Sequence, residues 1–95
     1  MNELIIPPAA FNDNESFELL RVWAANNEQH VTINSNLNGN AYDFGYMLAQ
    51  LAIHGSKLYA EKLGQSESIL LDDILNGFKE EINNNSGNPS GGIRK

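Results

Sequence analysis

The stretch Leu19-Leu-Arg-Val-Trp-Ala-Ala-Asn-Asn-Glu-Gln-His-Val-Thr-Ile-Asn34 alternates in character on either side of a polar centre. Alternation at every second residue is the signature of a strand with one covered face. The centre holds Asn26 and Asn27, and asparagine tolerates the positive φ of a tight hairpin turn. A loop of two residues, Asn26-Asn27, or of four, Asn26 to Gln29, gives the same facing, because both lengths are even. Leu20, Val22, Val31 and Ile33 then form an apolar face expected to be core. Arg21, Trp23, His30 and Thr32 share the opposite face. Trp23 lies across from His30 with the shorter loop and from Thr32 with the longer one.

Ninety-five residues are enough for one domain. A chain this short hides roughly 60–65% of the surface its unfolded form exposes, so its core is small and association would help it. There is no cysteine, which excludes disulfides, thiolate chemistry and Cys-type zinc sites. The net charge is −6. Residues 1–48 contain Glu3, Asp13, Glu15, Glu18, Glu28 and Asp43 against a single base, Arg21. Binding to nucleic acid through phosphates needs a basic patch, and the sequence has none. Anionic membrane surfaces are disfavoured for the same reason. No apolar run approaches the ~20 residues of a membrane span. The first residues lack the basic and apolar regions of a signal peptide, so a cytoplasmic location is expected.

Outward from the hairpin the chain divides cleanly. Leu4 to Ile6 reads as a brief edge strand in an extended N-terminal segment, stopped by Pro7-Pro8. Residues 12–16, Asn-Asp-Asn-Glu-Ser, read as a loop whose side chains bond its own backbone. Asn40, followed three residues later by Asp43, resembles a capping box and opens a helix from Ala41 to Leu63. Phe44, Leu48, Leu51, Gly55 and Leu58 form its apolar stripe. A row of small residues, Gly45, Ala49, Ala52, Ser56 and Ala60, adjoins it and allows another element to come close. Gly64 is a natural stop. A second helix starts near Ser66 or Ser68 and carries Leu71, Ile74, Leu75, Phe78 and Ile82 on one side. Residues 84–95 are rich in Asn, Gly and Ser and read as a disordered tail beyond a single domain, residues 1–83. The expected fold is α+β in two layers: an N-terminal extended segment and a β-hairpin, covered on one face by two α-helices.

The pieces Ile6-Pro-Pro-Ala-Ala10, Leu19 to Ala25, His30-Val-Thr-Ile33 and the helix from Phe44 to Gly64 resemble a family of short bacterial proteins known only as a domain of unknown function. The likeness spans roughly residues 4–82. It implies a small cytoplasmic bacterial domain with no assigned activity, and it transfers no catalytic residue.

Catalytic constellations are weak throughout. His30 and His54 lie on different elements without metal-ligand spacing, so no metal and no cofactor is expected. Asp72-Asp73 and Glu80-Glu81 are sequence neighbours that point ~100° apart on a helix and cannot share a proton. There is no Gly-x-Ser-x-Gly and no phosphate loop. Tyr42 and Tyr46, four residues apart, read as rings at the edge of the core. The expected function is therefore a non-enzymatic interaction module, forming a homodimer or meeting another protein through Arg21, Trp23, His30 and Thr32. The alternative is a protein, or a minor enzyme subunit, that binds an anionic or planar small molecule with the same face. If the tail is disordered, removal of residues 84–95 leaves the melting temperature unchanged. A drop of several degrees on thermal unfolding would show the tail to be docked.

Overall fold

A computed structural model describes residues 2–84. It contains α1 (Pro8–Phe11), β1 (Leu20–Ala25), β2 (Glu28–Ile33), α2 (Ala41–Leu63) and α3 (Glu67–Asn84). The fold class is α+β, as the alternation and the helical stripes predict. The chain divides into two compact units between Leu37 and Asn38. Apart from Asn84, which ends α3, the segment read as a tail lies outside the described residues.

The first unit is built around the hairpin. Asn26 and Asn27 adopt φ of 55° and 61°, the left-handed pair that a two-residue type I′ turn requires. The strands are antiparallel, with Leu20 opposite Ile33, Arg21 opposite Thr32, Val22 opposite Val31 and Trp23 opposite His30. Past the last pair, the Asn34 amide donates to the Leu19 carbonyl at 3.0 Å, and its side-chain Nδ2 donates to the Glu18 carbonyl at 3.0 Å. The open end is thus tied as well as the turn. Of the residues read as core, Leu20 is half-buried, whereas Val22, Val31 and Ile33 keep about half their surface exposed.

Leu4 to Ile6 do not join the sheet, which has two strands among the described residues. The reason is local. Pro7 is extended, at φ −58° and ψ 140°, and Pro8 stands at the first helical position, where its missing N–H costs nothing. The chain turns into α1 instead of continuing along an edge. The loop behind it behaves as its composition implies. The Glu15 amide donates to Asp13 Oδ1 at 2.9 Å, and Ser16 Oγ donates to the Ala10 carbonyl at 2.7 Å.

The second unit is a helical hairpin. Asn40 Oδ1 accepts from the Asp43 amide and Asp43 Oδ2 accepts from the Asn40 amide, each at 3.0 Å, a complete capping box. Gly64, at φ 66°, closes α2 in the left-handed conformation, and its amide donates to the Ala60 carbonyl at 2.9 Å. Ser66 then caps α3, its Oγ accepting from the Ile69 amide at 3.4 Å. So short a connection makes α2 and α3 antiparallel neighbours.

They meet along the middle of the small-residue row. Ser56 is 2% exposed, and a Cβ on Gly55 would stand 3.6 Å from Ile74 Cδ1. From α3 the deepest residue is Leu70, 7% exposed, which lies outside the stripe read from the sequence. Three consecutive apolar residues, Ile69 to Leu71, let this helix choose which face to bury. The close approach permitted by Ala52, Gly55 and Ser56 brings Leu70 and Ile74 inward. No described helix is long and apolar enough to cross a membrane.

Two substitutions test this account by thermal unfolding. Gly45 lies inside α2 with nothing within 4 Å of an added Cβ, so Gly45→Ala is expected to stabilise by about 0.5–1 kcal/mol. Asn26→Val, forcing a β-branched residue to positive φ, is expected to destabilise by about 1–2 kcal/mol.

Candidate interaction face

Strand alternation places Arg21 and Trp23 of β1 on one side of the hairpin. The register sets Thr32 and His30 of β2 directly opposite them. All four residues singled out in the sequence therefore converge, and the two-residue turn decides between the two registers in favour of Trp23 against His30. Trp23 and Arg21 are half-buried, while His30 and Thr32 are exposed. The His30 ring is oriented by Nε2, which lies 3.1 Å from the Ala25 carbonyl. Since a carbonyl can only accept, that nitrogen carries the proton in this contact.

Arg21 is the electrostatic centre of the face. Its Nε donates to Glu18 Oε1 at 2.6 Å, and Nη1 lies 2.7 Å from Glu3 Oε2. The hydrogen bond and charge of Glu18 hold the guanidinium pKa above its already high ordinary value, and the charge of Glu3 adds to this. A raised pKa means that the contribution to stability is complete below the unfolded value and is lost only as pH rises through the folded one. No pH dependence near neutrality follows from this group. Glu18 could have been found from sequence as the i−3 neighbour of Arg21. Glu3, eighteen residues upstream, carries no local signal.

Beside Arg21, at the open end of the hairpin, lies a shallow depression of about 240 Å³. Glu18, Leu19, Leu20, Arg21, Thr32 and Asn34 line it, without Trp23 or His30. Its volume falls below the ~300–1,000 Å³ usual for small-molecule pockets. Among the described residues no group of three or more His, Asp or Glu is placed to hold a metal ion, and His54 is exposed on α2.

The family model described as Domain of unknown function (DUF5076) matches residues 3–86. The chain belongs to this family. The match runs through the hairpin and both long helices, so the DUF5076 domain includes every element described above. No curated protein matches the chain. Among solved structures, one from the photosynthetic bacterium Rhodopseudomonas palustrus, described as a "putative pyruvate dehydrogenase", is similar with a TM-score of 0.68 and 20% identity. The similarity covers 86% of this chain and 94% of that one. At that identity it shows a shared fold.

The ion pairs are partly exposed, so their contribution is screened by salt. Arg21→Gln is expected to lower the melting temperature at low ionic strength. The difference from wild type should shrink in ~1 M salt, where the screening length is ~3 Å. A difference unchanged by salt would mean that Arg21 acts through packing of its aliphatic stem.

Proposed function

We propose that this DUF5076 domain is a non-enzymatic interaction module that self-associates through the hairpin face, with Arg21, Trp23, His30 and Thr32 forming the contact. The observation that carries the reading is the double ion pairing of Arg21 by Glu18 and Glu3. A guanidinium already held by two carboxylates offers little to an incoming anion. It does present a planar group on the same side of the hairpin as an indole, and Trp and Arg are among the residues that most often anchor protein contacts. A two-fold contact needs only one such patch, because each copy presents the same surface to the other. Location in a bacterial cytoplasm belongs to the same proposal.

The ligand-binding alternative has less support. It needs the Arg21 fork and a pocket beside the indole; Nε and Nη1 of the fork are already engaged, and the depression next to it is small. The dehydrogenase description of the structural neighbour is attached to a chain only 20% identical, so it adds a fold and no substrate.

The test is molar mass by light scattering over a range of concentrations, read together with the emission of Trp23, the sole tryptophan. Self-association through this face gives a mass above that of one chain, and Trp23 emission that moves to the red on dilution. A mass of one chain throughout, with Trp23 emission responding to added anionic or aromatic metabolites, would replace this reading with the alternative.

A further inference from the structure

A second surface, on the helical hairpin, goes beyond this reading. The seam between α2 and α3 runs through Ala52 and Ser56 on one side and Leu70 and Ile74 on the other. Both helices are right-handed and run in opposite directions. The residue that follows a seam position therefore turns to the same side of the pair in each. Ile53 follows Ala52, and Leu75 follows Ile74. Helical spacing adds Tyr42 and Tyr46 above Ile53, and Phe78 and Ile82 beyond Leu75. These six side chains make one apolar flank, and they range from 39% exposed at Leu75 to 80% at Tyr42.

The size of this flank is the argument. At roughly 200 Å² for a large side chain, about half of it showing, six leave on the order of 600 Å² of largely apolar surface. That is at the upper limit of the largest patch on an ordinary monomer, ~300–600 Å². A standard interface takes ~800 Å² from each partner, ~55–65% of it apolar, and this flank supplies that apolar share. By contrast, Leu70, 7% exposed, is the most deeply buried hydrophobic side chain among the described residues.

We infer that this flank packs against the same flank of a second copy of the chain, giving a four-helix arrangement about a two-fold axis. Three features favour a second copy. The six side chains of the flank are uncharged, and Lys57 continues their line at its end on α2. Its margin carries both signs, with Lys57 one turn beyond Ile53, Lys79 one turn beyond Leu75, and Asp72 between Leu71 and Leu75 in the turns of α3. Two acidic chains therefore meet without a margin of like charge. Finally, a straight antiparallel helix pair is self-complementary at the shallow crossing angle of bundles, ~20°.

The experiment is light scattering on the full chain and on Phe78→Glu, Tyr46→Glu and Thr32→Glu, with helix content followed by circular dichroism. Tyr46 is 63% exposed, so its substitution leaves a lone chain able to fold. Two different two-fold contacts on one chain build an assembly larger than a dimer. The expected result is that Phe78→Glu and Tyr46→Glu each reduce it to a dimer with helix content retained. Thr32→Glu, on the hairpin, should independently do the same, and Tyr46→Glu combined with Thr32→Glu should give one chain. If Tyr46→Glu and Phe78→Glu alone lower the mass, the helical contact stands and the hairpin contact falls. If Thr32→Glu alone lowers it, or the wild type is one chain at every concentration, the helical contact is overturned.

Discussion

Each unit of this chain has more apolar side chains than a single layer can hide. A two-stranded hairpin has two faces and no interior, and a pair of helices buries only the seam between them. The seam here is narrow because it is built from Ala52, Gly55 and Ser56. Small side chains let the helices approach closely, but they contribute little apolar area of their own. The hydroxyl of Ser56 is kept from being an unpaired buried group by donating to the Ile53 carbonyl at 2.7 Å. Close approach and thin burial are thus two results of the same residues. The other apolar side chains are left half-exposed, which places much of the stabilising surface where another chain can reach it.

The elements that could be read from the sequence are those whose cause is local. The Asn26-Asn27 turn, the Asn40/Asp43 capping box, the stop at Gly64 and the Ser66 cap each depend on a few neighbouring residues and on backbone geometry. Strand alternation then brought Arg21, Trp23, His30 and Thr32 to one face, since parity follows from the turn alone. What could not be read depends on partners distant in sequence. Leu4 to Ile6 have the composition of a strand, yet strand formation needs a neighbour, and Pro8 instead begins a helix. The burial of Leu70 instead of its neighbours reflects how closely α2 can be approached. The Glu3–Arg21 pair joins residues that no periodicity connects.

The paired carboxylates change the meaning of the one base in the first half of the chain. From the sequence, Arg21 beside Trp23 is equally an anion anchor and a protein-contact residue. Glu18 and Glu3 leave the immediate surroundings slightly negative and engage Nε and Nη1 of the guanidinium. Long-range attraction of an anion to this face is correspondingly weak. A chain of net charge −6 repels its own copies at long range unless opposite charges are brought together.

The turn also governs how this hairpin can change over generations. Because both of its residues have positive φ and the loop is even, lengthening it by two residues preserves the grouping of the four face residues. A single inserted residue without a compensating bulge does not. It swings His30 and Thr32 to the far side, beside Val22, and carries Val31 and Ile33 round to Trp23. Drift in loop length is therefore expected in steps of two, and the parity of that loop defines this face as much as the side chains it aligns.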